Sequence, residues 1–235
     1  YMTNEVESAR QKLIEAVAEF NNELLEKYVE GVDIAEEEVA AALIEGIQAG
    51  KIFPVLCGSA LRNVGMHKLM YDLVEYMPSP ADHAILGTDP DSGELIERKI
   101  TDAFSAQVFK TIVDPFVGRL SFIRVFSGDL KPDSSYHNST RQTAERIGTI
   151  FTMQGKHQVN LSIAHGGDIV AAAKLQGTKT GDTLCDKAAP ILYESIAYPE
   201  SMLAMAVYAK KKGDEDKVFA ALAKEQEEDP TICMV

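Results

Sequence analysis

The chain has 235 residues, with 23 Lys and Arg against 36 Asp and Glu, and so carries a net charge of −13. At 46% hydrophobic and 25% charged it has the composition of a chain that buries a core, which excludes a disordered tail. The acidic balance also excludes a simple nucleic-acid coat, whose phosphate contacts need clustered positive charge. Residues 1–50 hold twelve acids and three bases, whereas residues 83–190 hold twelve of each. The acidic head therefore reads as a solvated helix face, and any nucleic-acid contact belongs in the neutral middle. Cys57, Cys185 and Cys233 are far apart with no CxxC, so neither a disulfide framework nor a zinc pattern is present, and a reducing cytosol is expected. The longest apolar run, Met202 to Tyr208, is too short to span a bilayer, and no signal peptide is visible. Met2 stands behind Tyr1, which reads as a start inside a longer protein or on an added residue.

In chain order, residues 6–28 predict an amphipathic helix, with Val6, Leu13, Val17, Phe20, Leu24 and Tyr28 at helical spacing. Gly31 ends it. Asp33 and Glu36 form a capping-box pattern opening a second helix over 34–48, striped by Val39, Leu43 and Ile47. The run Ile52-Phe53-Pro54-Val55-Leu56-Cys57 predicts a short buried strand. Residues 65–77 return to helical period until Pro78-Ser79-Pro80 stops them. Helix, strand and helix with tight connections is the pattern of an α/β domain. After Pro80 the texture changes. Residues 83–98 read as loop, turning at Pro90-Asp91-Ser92-Gly93. Six β-type runs follow at 103–112, 119–127, 134–138, 146–153, 168–174 and 190–194, which predict a closed barrel or small sandwich. Residues 196–208 predict a further strand and 214–228 a helix.

The usual chemistry-bearing motifs are missing. There is no GxxxxGK followed by Ser or Thr, no GxGxxG, no NKxD, no HExxH and no GxSxG. Without a backbone cradle and its Lys the chain has nothing to hold a triphosphate and Mg²⁺, and it does not read as an enzyme by itself. Two loops carry more information. In Asp114-Pro115-Phe116-Val117-Gly118-Arg119, glycine permits a tight turn beside a forked, always-charged donor. In Thr178-Lys179-Thr180-Gly181-Asp182-Thr183, the Thr and Asp side chains are suited to satisfying loop amides. Arg141, Arg146, Lys156, Lys174 and Lys179 scatter positive charge over the β-rich part.

DPFVGRL at 114–120, GDI at 167–169 and TKTGDTLCD at 178–186 closely resemble the translational GTPase family of elongation factor G. ELLEKYVEG at 23–31, FPVLCGSALRNVG at 53–65, LVEYMPSP at 73–80 and EEDPT at 227–231 extend the resemblance, in the same order, over nearly the whole chain. It implies an α+β multidomain fragment in three parts. Residues 1–82 would be the C-terminal remnant of an α/β GTP-binding domain. Residues 83–194 would be the six-stranded translation-factor β-barrel, and 195–235 the start of a ferredoxin-like third domain. Gly58-Ser59-Ala60 matches the loop that accepts guanine, so Ser59 and Ala60 are expected to contact nucleotide in the intact protein. Gly118, Arg119 and Lys179 are expected to contact ribosomal RNA or a neighbouring domain. Gln154-Gly155-Lys156-His157-Gln158 carries less charge than the family usually has there. GTP and Mg²⁺ are implied for the full-length family and no cofactor for this chain, which is expected to be inactive alone. Its implied partners are the ribosome, through small-subunit RNA, and the remaining domains of the parent protein, in the cytoplasm, with no membrane and no DNA. The alternative is a stand-alone, non-enzymatic RNA- or protein-binding barrel.

Overall fold

The computed structural model describes residues 2–114, 117–155 and 157–234, so Pro115 and Phe116 of the first loop and Lys156 lie outside the described residues. Two compact units divide the chain, residues 1–79 and 80–235. The first contains four helices, α1 (Met2–Ala18), α2 (Asn22–Glu30), α3 (Glu36–Gln48) and α4 (Met66–Tyr76).

The single helix expected over 6–28 is two helices. Asn21 is extended (φ −130°), and its side chain accepts the Glu23 and Leu24 N–H groups, which ends α1 and caps α2. Gly31 closes α2 in the left-handed region. The break turns the stripe inward only where the helices meet. Val17, Ala18, Leu24 and Ala42 form a small core backed by Tyr28, Ile34, Leu43 and Ile52. Val6 and Leu13, on the same predicted stripe, are exposed.

The Asp33–Glu36 capping box is also displaced. Ala35 is the N-cap of α3 and has no side chain to cap with. The reciprocal half comes from Glu38, whose carboxylate accepts the Ala35 N–H at 3.2 Å and pairs with Lys27. The Lys27 hydrogen bond, helped by the Ala35 N–H, holds the Glu38 carboxyl below its ordinary value of 4.5. With the folded value depressed, the pair supports α3 fully above the ordinary value, and its support fades as pH falls through the lower one. Charge reversal at Lys27 should shrink that acid-side component of the helical circular dichroism signal to the part the Ala35 N–H supplies.

The buried strand expected at 52–57 is absent. Phe53, Val55 and Leu56 are exposed, and no strand lies in this unit among the described residues. A lone extended run without a ladder partner leaves its backbone groups to water, so apolar composition alone does not make it a strand.

The second unit is β-rich: β1 (Ile85–Thr88), β2 (Leu95–Arg98), β3 (Ser105–Asp114), β4 (Gly118–Ser127), β5 (Asp129–Leu130), β6 (Ser134–Asn138), β7 (Thr143–Ile147), β8 (Ile150–Gln154), β9 (His157–Leu161), β10 (Ala164–His165), β11 (Ile169–Ala173) and β12 (Thr183–Cys185), then α5 (Glu215–Glu228). The stretch expected as loop at 83–98 is the β1–β2 hairpin, turned by Asp89, whose carboxylate accepts the Asp91 and Ser92 N–H groups. The expected six strands become an eight-stranded antiparallel sheet ordered β7-β6-β12-β3-β4-β11-β8-β9, with β5–β10 and β1–β2 as separate pairs. The run read at 146–153 is two strands split at Gly148-Thr149. The run at 190–194 contributes only a bridge from Leu192 to Thr88.

This order forces the sheet to curl. β7 and β8 stand first and seventh, which in a flat sheet separates them by six steps of ~4.8 Å, about 29 Å. Gly148-Thr149 joins Ile147 to Ile150 across three Cα steps, at most about 11 Å. Register shifts in β3 at Ser105/Ala106 and Val108/Lys110 supply bulges that bend it. Alternation then sorts the apolar residues. In β11, Val170 and Ala172 join the inner core with Val108, Ile123, Val125, Ile147, Ile150 and Leu184, while Ala171 packs on the other face with Leu120 and Phe151. A polar chain crosses one end: Ser105 Oγ lies 2.6 Å from both Ser127 Oγ and Tyr193 Oη. Burial pushes the Tyr193 phenol up, against the Ser105 hydrogen bond.

The strand expected at 196–208 does not form. Met202, Leu203, Met205 and Tyr208 are exposed in irregular chain, for the same want of a ladder partner. The helix after it appears as α5 and packs along β3. No helix of the described residues is long and apolar enough to cross a membrane.

Candidate functional site

Gly118, Arg119 and Lys179 lie in the β-rich unit, whereas Ser59 and Ala60 lie in the helical one. The β3–β4 hairpin places the first two. The Asp114 carboxylate accepts the Val117 N–H at 2.9 Å, and Gly118 takes φ +85° with nothing within 4 Å of where a Cβ would sit. Arg119 follows with its side chain 22% exposed. Its guanidinium donates to the main-chain oxygens of Leu175 and, at 3.3 Å, Gln176, and lies 3.6 Å from the Glu227 carboxylate. Its own carbonyl accepts the Lys174 N–H at 2.9 Å. Arg119 thus joins the hairpin to the 175–176 main chain on one side and to α5 on the other.

Those bonds run into the loop that carries Lys179. Two buried carboxylates set its shape. Glu145 accepts the Gln176 and Gly177 N–H groups and the Thr178 hydroxyl, each at 2.8 Å. Asp182 accepts the Lys179 N–H at 2.9 Å, the Asn138 amide at 3.0 Å and Arg141 Nε at 2.6 Å through one oxygen. The Thr180 and Thr111 hydroxyls meet at 2.8 Å. Donors aimed at a charged acceptor make the stronger class of hydrogen bond, so this loop is held rigidly. Lys179 itself is exposed, and its ammonium has no hydrogen bond or ion pair among the described residues. The hairpin and the Lys179 loop are therefore brought together, with Arg119 reaching from the hairpin to the loop that presents Lys179.

Ser59 and Ala60 sit in a tight loop before α4. Ser59 and Val64 exchange N–H···O bonds of 2.9 and 3.0 Å, and Ser59 Oγ accepts the Arg62 N–H at 3.4 Å. Ala60 is exposed. Among the described residues no group of His, Cys, Asp and Glu is arranged to hold a metal ion.

The positions of Arg119 and Lys179 were visible in the sequence, but their companions were not. Glu145 shares a strand face with buried Ile147, and a carboxylate on an inward face demands donors, which was the available signal. Asp182 lay inside the TKTGD motif, and Glu227 and Glu228 inside EEDPT, without their partners being evident. Lys110 carried no signal at all.

Two family models match this chain, elongation factor G domain 2 over residues 103–187 and elongation factor G domain III over residues 198–235. A crystal structure of a protein from Thermus thermophilus superposes with a TM-score of 0.78 and 28% identity, covering 99% of this chain and 33% of that one. The chain spans about a third of the length of this solved relative. Domain III follows domain 2 in chain order, the two together cover more than half of the residues, and the chain belongs to the elongation factor G family.

Proposed function

We propose that the chain is part of a translation factor acting on the ribosome in translocation, and that its barrel contributes the contact to small-subunit ribosomal RNA. The observation that carries this reading is the succession of elongation factor G domain 2 and domain III over residues 103–187 and 198–235. Lys179 supports it locally: an unpaired cation on a loop pinned by Glu145 and Asp182 is pre-organised for a phosphate. Arg119, bonded to Leu175, Gln176 and Glu227, serves contact between the barrel and the third-domain segment while α5 is docked. GTP binding and hydrolysis belong to the whole protein. The residues present fit at most the guanine end of that nucleotide, through Ser59 and Ala60; they include no phosphate loop, and no step is derived through GTP or Mg²⁺. The place of action is the cytoplasm.

Co-sedimentation with ribosomes over a salt series tests this reading. The chain should pellet at low salt and dissociate as salt rises. Lys179→Ala should weaken binding and lower the slope of log affinity against log salt by about 1, as the loss of one phosphate contact requires. An unchanged slope removes Lys179 from the interface, and no pelleting at low salt removes the ribosomal role of the barrel.

A further inference from the structure

Two acids of α5 end against the β3–β4 hairpin. The Glu227 carboxylate lies 3.6 Å from Arg119 Nη1. The Glu228 carboxylate accepts the Val113 N–H. Lys110 Nζ donates to the Glu228 main-chain oxygen at 3.0 Å, which places a cation at the negative end of the helix. The Arg119 guanidinium, the Lys110 ammonium and the Val113 N–H thus all face the C-terminal end of α5, which meets them with the Glu227 and Glu228 carboxylates and the Glu228 main-chain oxygen. The same donor set suits a phosphate, which offers more acceptor oxygens and more charge than a carboxylate.

We infer that Lys110, Val113 and Arg119 of the β3–β4 pair form an anion receptor for an RNA phosphate, and that the Glu227-Glu228 pair of α5 occupies it in cis. Release of α5 uncovers Arg119, Lys110 and the Val113 N–H together. The third-domain segment thereby controls how many cations the barrel offers to RNA. This rests on the ribosomal reading above and adds to it a site that is closed when α5 is docked. The contacts holding α5 are partly exposed, with Glu227 42% accessible, so the docking is reversible rather than a core interaction.

The test uses the whole chain carrying Glu227→Gln and Glu228→Gln together, with ribosomes and a short labelled RNA duplex as probes. A control variant, Glu215→Gln with Asp216→Asn, removes the same charge from the other end of α5. Amide exchange in α5 reads its release independently of RNA. The expected result is faster α5 exchange and affinity at least roughly fivefold tighter in the 227/228 variant. Its salt slope should steepen by about 1 to 2, one for each cation uncovered. The control should not steepen, and adding Lys110→Ala to the 227/228 variant should reverse part of the gain. If the parent binds but the 227/228 variant gains no more than the control, the masking is overturned while the ribosomal reading stands. If neither parent nor variants bind at low salt, both fall.

Discussion

Glu145→Ala is expected to destabilise the β-rich unit by about 3 kcal/mol or more, among the largest losses available from one side chain. The carboxylate is 2% exposed and satisfies three donors of the 175–178 loop. Alanine leaves the Gln176 and Gly177 N–H groups without a partner, and Thr178, also buried, loses one of its two bonds. Thr178 is buried, so its lost bond costs about 1–3 kcal/mol, and the charge-assisted bonds lost at the exposed Gln176 and Gly177 add to it. In a unit of this size each kcal/mol moves the thermal midpoint by roughly 2–4 °C. Glu145→Gln, which keeps one carbonyl acceptor, should lose less. Urea unfolding of both variants checks the order, and thermal unfolding of the alanine variant with a midpoint within about 1 °C of the parent would show that water enters and satisfies the loop. The same bonds shape the loop that presents Lys179, so the variant also bears on the proposed phosphate contact.

Gly128→Ala should cost about as much by a different route. Gly128 follows β4 at φ +62°, and a Cβ there would lie 2.6 Å from Phe104 N, 2.8 Å from Phe104 Cα and 2.9 Å from Asp102 O. All three are backbone atoms, so no flexible side chain can yield, and Phe104 is part of the inner core. We expect a loss of about 3 kcal/mol or more, from left-handed strain plus displacement of the core. Gly118 is the internal comparison. It has φ +85° but nothing within 4 Å of its Cβ position, so Gly118→Ala should cost only the conformational penalty of about 1–2 kcal/mol. Equal losses at the two positions in denaturant titration would contradict this assignment.

The contrast between these glycines bears on what was legible in the sequence. Glycine marks a turn, but the sequence does not say whether another backbone crosses beside it. Helices fared similarly. The period of residues 6–28 was real, yet Asn21 cut it in two, and an N-cap inside a continuous stripe is visible only as one polar residue among many. The runs at 52–57 and 196–208 were read as strands from apolar content, but a strand is made by its neighbour. The reverse error hid β9 and β12. His157–Leu161 is mostly exposed and polar, and Thr183–Cys185 is three residues long, so neither offers a pattern of its own. The family-like motifs at 114–120 and 178–186 fall at the β3–β4 connection and at the loop running into β12. They were silent on Glu145, Lys110 and the carboxylates of α5, because those partners come from strands and a helix far away in the chain.

The strand order carries a consequence for how the molecule comes into being. β3–β4, β6–β7 and β8–β9 are hairpins between neighbours, and each can form as soon as its second strand exists. The other edge of β3 waits for β12, where Leu184 pairs with Ala106 and Cys185 with Ser105. During synthesis from the N-terminus, β3 therefore stands with one unpaired edge until the chain has grown past residue 185. Closure of so distant a pair should place refolding in the millisecond-to-second range, and a microsecond refolding phase carrying the full amplitude would contradict it. Until then that edge is the part of the nascent chain most able to pair with the wrong strand.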